Sequence, residues 1–135
     1  IRSYNMSRIK SSGTKPEIFI RKLLHAEGFR YKLSTNINKI KPDIVLSKHK
    51  TCIFVHGCFW HSHENCIYSN IPKSNISFWT NKLKKNKERD QRVIRKLKND
   101  NWRILIIWEC SIKKHKNIIK KIKQFISNKS LYSEI

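Results

Sequence analysis

Residues 53–68 read IFVHGCFWHSHENCIY, which gathers three of the chain's six histidines and two of its four cysteines into one strand end and the loop after it. These residue types support three chemistries. Cys58, His63 and Cys66 form a Cys-x4-His-x2-Cys set of soft ligands. Structural zinc takes four such ligands in a closed tetrahedron, and Cys110, at the end of a later apolar run, offers a fourth from elsewhere in the fold. Cys52 sits inside an apolar strand and reads as a core thiol.

The second chemistry is phosphodiester hydrolysis. It needs a metal to polarise the phosphate, a base to activate water, and neutralisation of the leaving oxygen. Asp43, which opens an apolar strand directly after Pro42, is a hard oxygen ligand suited to Mg²⁺. The backbone carbonyl of Val55, on the adjacent strand end, offers a second ligand. His61 could take a proton from water, with Asp90 orienting its ring and stabilising the imidazolium. His56 is placed to contact the scissile phosphate. Each has a plainer alternative: Asp43 solvated at a strand start, Asp90 paired with Lys or Arg, the histidines hydrogen-bonded at the surface. Their clustering across a hairpin favours the chemistry.

The third is insertion into DNA. Phe59 and Trp60 stand beside polar ligands and fit a wedge between base steps, which costs least at a mismatch, where stacking is already weak. The alternative is that both are core.

Several elements must position these groups. Thr14, Pro16 and Glu17 form a capping-box start for a helix to about Glu27, which Gly28 ends. That gives Glu17 a structural role already. Alternation at Phe29, Tyr31 and Leu33 predicts a first strand. Residues 42–46 and 51–56 read as a hairpin. Ser77 is a good N-cap for a long helix to about Asn99; its apolar stripe passes through Leu83, Ile94 and Leu97 and includes Asp90. The opposite face, with Lys82, Lys84, Lys85, Arg89 and Arg92, is strongly basic. The run WRILIIW at 102–108 reads as a strand buried on both faces, and an amphipathic helix follows over about 113–127. A hairpin, a helix crossover and a buried strand give an α/β domain, order α-β-β-β-α-β-α, with a mixed four-stranded sheet flanked by helices.

The chain has 135 residues and a formal charge of +21 from 30 Lys+Arg against 9 Asp+Glu. That length suits one domain: a basic arm over 1–13, a catalytic domain over 14–128 and a tail over 129–135. Such a charge predicts a polyanionic partner, nucleic acid by default, although a Lys- and Asn-rich composition bias contributes. No window is apolar and long enough to span a membrane. With no signal peptide in view, the expected compartment is a reducing cytoplasm, where four cysteines favour metal binding or burial over disulfides.

The chain resembles the very short patch repair (Vsr) mismatch endonucleases, relatives of the PD-(D/E)xK nucleases. The resemblance runs from Asn5 and Met6 to Cys110. It rests on Glu17, Pro42-Asp43, the block FVHGCFWH at 54–61, Phe78-Trp79, Glu88-Arg89-Asp90, and Trp102-Arg103 through Trp108-Glu109-Cys110. It implies a restriction-endonuclease-like fold with a structural zinc. The implied reaction is a nick 5′ of the mispaired T in T:G mismatches left by deamination of 5-methylcytosine. It implies Mg²⁺ on Asp43 and the Val55 carbonyl, His61 as base supported by Asp90, and His56 at the phosphate. Glu17 would be a supporting acid, and Met6, Phe59 and Trp60 intercalators. Zinc would sit on Cys58, His63, Cys66 and Cys110, with His61 the competing imidazole because 63–66 is one residue longer than the family's spacing. The third strand reads Phe54-Val55-His56 where the wider nuclease pattern has an acid and a lysine, so the metal site is poor in carboxylates. Mismatched duplex DNA is the expected partner, mismatch repair proteins a further one. A monomer, nucleoid-associated when acting, suffices for a nick. The competing readings are an idle zinc-bearing DNA-binding module and a related nuclease with another DNA substrate.

Overall fold

A computed structural model describes residues 13–114 and 117–135. Met6 and the rest of the arm before Gly13 lie outside the described residues. Helix α1 (Lys15–Ala26) begins at Thr14, whose side chain accepts the Glu17 N–H at 3.5 Å. It ends at Gly28, φ +82°, where the Gly28 N–H reaches the His25 carbonyl and the Phe29 N–H the Leu24 carbonyl, both at 3.0 Å. This paired closure needs a left-handed residue, which glycine adopts without a Cβ penalty.

Strands β1 (Ile44–Leu46) and β2 (Thr51–His56) form the expected antiparallel hairpin, turning through a single 3₁₀ turn at Ser47–His49. Helix α2 (Ile76–Asn99) then crosses over to β3 (Arg103–Trp108), which runs parallel to β2 from Thr51↔Arg103 to His56↔Trp108. The ends of β2 and β3 are therefore level. A short helix α3 (Glu109–Lys113), helix α4 (Ile118–Ser127) and strand β4 (Tyr132–Glu134) complete the fold, β4 lying parallel to β3. The sheet is mixed and four-stranded, order β1-β2-β3-β4.

The unbroken apolar run of β3 is explained by its two covered faces, since successive side chains point opposite ways. Leu105 and Ile107 pack with Ile20 and Leu24 of α1 and Ile122 and Phe125 of α4. Ile104, Ile106 and Trp108 pack with Leu97 of α2 and with Cys52. A third cluster, Phe59 with Trp79 and Leu83, fastens the loop after β2 to α2.

The sheet's membership differs from expectation at both ends of the chain. The first strand expected over 29–33 is reduced to an isolated bridge between Lys32 and Val45. Ser34, at φ 55°, turns the chain away after a single pairing. The fourth strand comes instead from 129–135, expected as a tail. The outer edge of β3 carries backbone groups that need partners. Leu131 accepts the Ile104 N–H at 2.9 Å, and Ile135 accepts the Trp108 N–H at 3.0 Å and donates to Ile106 at 2.8 Å. Helix boundaries moved as well. α2 starts from Asn75 in a left-handed conformation, ahead of Ser77, and Asn117, also left-handed, starts α4 at Ile118 instead of 113.

Candidate active site and metal cluster

β1 stops at Ile44, opposite Ile53, while β2 continues to His56. The β1-side edge of the last β2 residues is therefore open, and Asp43 fills it: the Val55 N–H donates to Asp43 Oδ2 at 2.7 Å. The N–H and C=O of one strand residue leave on the same edge, so the Val55 carbonyl faces the side on which the Asp43 carboxylate lies. Glu17, 3% exposed, comes from the first turn of α1. Its Oε2 accepts the Gly13 N–H at 2.6 Å and Arg21 Nη2 at 3.3 Å. The reciprocal half of the expected capping box, a bond back to Thr14, gives way to Gly13, and the carboxylate lies beside Asp43. Burial pushes the Asp43 carboxyl up to about 7; the Val55 N–H opposes this, the Glu17 carboxylate adds to it, and Arg21 pulls it down. Two carboxylates that cannot comfortably both ionise need a proton or a cation between them. Hard oxygens on a cleft wall suit Mg²⁺, so the donor set fits that ion.

Asp90, one turn before Ile94 on α2, reaches the loop from the other side. Its Oδ2 lies 2.6 Å from His61 Nδ1. His56 stacks flat on His61, ring centres 3.7 Å apart and planes 4° apart. Burial holds the His56 ring down to about 3; the neighbouring His61 adds to this, Asp90 opposes it, and Arg89 adds a little. His56 is thus a neutral imidazole at neutral pH. Asp43, Glu17, His56, His61 and Asp90 all line one open cleft of about 1180 Å³, whose rim carries Lys82 and Arg89.

The soft ligands gather a few residues away. The ligand atoms of Cys58, His63, Cys66 and Cys110 all lie within 4.8 Å of one another. Cys110 Sγ is 3.4 Å from His63 Nδ1, and the Cys110 N–H points at Cys58 Sγ at 3.4 Å. Zinc bonds of about 2.1–2.3 Å give tetrahedral edges of about 3.5–3.8 Å, so the Cys3His set fits zinc with little adjustment. Burial pushes the Cys58 thiol up to about 12. At Cys66 burial acts upward too, but the Tyr68 N–H and the thiols of Cys58 and Cys110 outweigh it and lower the pKa. His63 stands in this cluster and His61 in the other. Cys52, fully buried, is pushed by burial to about 12, as a core thiol should be.

The aromatic pair stays together, its ring centres 5.3 Å apart and both rings packed on Trp79. Trp60 lines the cleft, and its carbonyl accepts Asn86 Nδ2 of α2 at 3.3 Å. Phe59, 8% exposed, also lines the cleft and packs edge-on against Trp79 at 5.4 Å, which fastens the loop to α2. Two further residues had no assigned part. Trp108 contacts His56 and His63, and Glu134, in the expected tail, bonds Trp108. The available signal for the latter was the two-residue spacing of Tyr132 and Glu134, which puts both on one face of a strand.

The fold is shared with the catalytic domain of the homing endonuclease I-Bth0305I, at TM-score 0.58 and 18% identity over 87% of this chain and 100% of that one. Fold and cleft together define the class, an α/β domain whose mixed four-stranded sheet carries an acid- and imidazole-lined cleft. Sequence narrows it. Residues 1–67 match the family model described as DNA mismatch endonuclease Vsr. The type II nicking enzyme V.NmeAIP of Neisseria meningitidis serogroup A is 46% identical over 83% of this chain and 79% of its own length. V.XorIIP of Xanthomonas oryzae is 39% identical over 82% and 81%. The DNA mismatch endonuclease Vsr of Escherichia coli is 38% identical over 83% and 71%. The chain belongs to the Vsr family of DNA endonucleases.

Proposed function

We propose that this chain nicks one strand of duplex DNA 5′ of the mispaired T in a T:G mismatch and so initiates very short patch repair. The observation that carries the reading is the meeting, on one basic-rimmed cleft of a Vsr-family chain, of Asp43 and Glu17 with the His61–Asp90 pair and Trp60. Asp43 and the Val55 carbonyl hold Mg²⁺, with Glu17 as the supporting acid. When bound, the ion polarises the phosphoryl oxygen and neutralises developing charge. Asp90 fixes a proton on His61 Nδ1, which leaves Nε2 as the acceptor for the proton of the attacking water. His56, neutral and pinned between rings, donates an N–H to a phosphate oxygen. Lys82 and Arg89 neutralise flanking phosphates.

Phe59 and Trp60 enter the stack at the weakened mismatch step, with Met6 contributing from the arm over 1–13. Residues 14–128 carry the chemistry. Zinc on Cys58, His63, Cys66 and Cys110 fixes the loop. The enzyme acts as a cytoplasmic monomer on the nucleoid, in company with mismatch repair proteins. No helix among the described residues is long and apolar enough to cross a membrane.

The test is an end-labelled duplex with one T:G mismatch in a CTWGG-like context (W is A or T), beside its T:A control, with Mg²⁺. The expected product is a single nick 5′ of the mispaired T, absent from the control and from Asp43→Ala, which still binds. Binding without cutting by the unaltered protein would favour the idle module. Equal cutting of both duplexes would favour a nuclease with another substrate.

A further inference from the structure

The His63 cluster and the cleft histidines share a wall. The Trp108 indole stacks flat on His63, ring centres 3.9 Å apart and planes 5° apart. The same indole meets the His56 ring edge-on at 5.2 Å, and His56 stacks in turn on His61. The indole thus touches one imidazole of each cluster. Its backbone is fixed by β3, since the Trp108 N–H reaches Ile135. Its ring is fixed by one polar contact: Nε1–H donates to Glu134 Oε1 at 2.7 Å. The second oxygen of that carboxylate accepts the Tyr132 hydroxyl at 2.7 Å, which sets the angle at which Glu134 presents the first.

We propose that Glu134 is a positioning residue for the cleft histidines, acting through the Trp108 indole. β4 then does more than extend the sheet. Its backbone bonds close the outer edge of β3, and its one carboxylate aims the ring on which His56 and His63 rest. A bond to an ionised acceptor is stronger and shorter than a neutral one, which suits an aiming contact. Displacement of a reacting group by about 1 Å costs on the order of 10²-fold in rate, so a modest swing of the indole suffices to matter. The inference rests on the reading that His56 and His61 act at the phosphate.

The experiment compares Glu134→Ala, Glu134→Gln and Tyr132→Phe in the full zinc-loaded chain. Initial rates on the T:G duplex give kcat and KM; zinc content and Tm are measured alongside. The imidazole proton resonances of His56 and His63, displaced by the Trp108 ring current, are recorded on free protein. Glu134→Ala is expected to lower kcat by about 10- to 100-fold, the usual effect of losing an outer support, with KM and zinc content unchanged and both resonances moved. Glu134→Gln keeps an acceptor for the indole and restores most of the rate and both resonance positions. Tyr132→Phe gives a smaller loss of the same kind. Unmoved resonances, or a rate unchanged in Glu134→Ala, would overturn the proposal. So would a loss that follows zinc content or Tm, or one that Gln does not rescue. If the unaltered chain does not nick the duplex, the functional reading fails while the resonances still judge the indole contact.

Discussion

Residues 56–66 carry parts of two clusters with opposite physical characters. The Cys58, His63, Cys66 and Cys110 set is soft, is nowhere fully exposed, and supplies all four corners of a tetrahedron from the protein itself. The Asp43, Glu17, His56, His61 and Asp90 set is made of hard oxygens and imidazoles, and it opens on a cleft of about 1180 Å³. A closed soft site can only hold shape, whereas an open hard site keeps room for a phosphate and water. On the proposed reading, chemistry sits on a loop here because a neighbouring cluster takes away the loop's freedom.

That contrast predicts a one-way dissociation: the open site can fail alone, whereas failure of the closed site takes the open one with it. The largest effect belongs to the open site: His61→Ala should lower the nicking rate by about 10²–10⁴-fold with zinc content and Tm unchanged. A loss of zinc in that variant would place His61 in the other cluster and break the comparison. Next comes the closed site. Cys110→Ser should weaken zinc by more than about 100-fold, since even outer partners cost about 10–100-fold, and should lower both Tm and rate; metal analysis and calorimetry check this. Full zinc occupancy in Cys110→Ser would dissolve the distinction.

Trp60→Ala sharpens it further. Removing the ring should cost about 1–3 kcal/mol of mismatch preference, the scale of one base–aromatic stack. Binding to T:G and T:A duplexes measures the difference, and Phe59→Leu, which removes the neighbouring ring of the wedge, should lose preference in the same direction. The smallest effect is in pH. With Asp43 raised to about 7, the proton competes with the metal below that value. Mg²⁺ affinity should therefore rise with pH up to about 7, by at most about tenfold per unit, and flatten above. The sign reverses for the metal-free fold: a raised carboxyl favours folding below its ordinary value of 3.8, and that contribution fades as pH rises through about 7. Asp43→Asn should remove both dependences, as read by metal titration and by Tm against pH.

Much of this was legible in the residues. The ligand spacing marked the soft cluster, the stripe on α2 put Asp90 inward, and the hairpin put Asp43 beside Val55. Phe29, Tyr31 and Leu33 misled because their alternation is genuine while their ladder is not: Phe29 and Tyr31 pack on the core, but the pairing with β1 is a single bridge at Lys32. Residues 129–135 misled the other way, because a three-residue strand has too little side-chain pattern to announce itself.

The sequence by itself determined the ligand types, the charge, both ends of the first helix and the buried character of β3. These are local quantities, fixed by side-chain chemistry and by periods of 2 and 3.6 residues. Only the tertiary structure decided which groups meet. It turned Glu17 from a capping role toward Asp43, packed Phe59 and Trp60 together on Trp79, separated His61 from His63, and set Trp108 between the two clusters under Glu134. Each of these outcomes depends on register and crossover. In a parallel pair such as β2 and β3, neighbours in space come from residues far apart in the chain, and no local pattern encodes their distance.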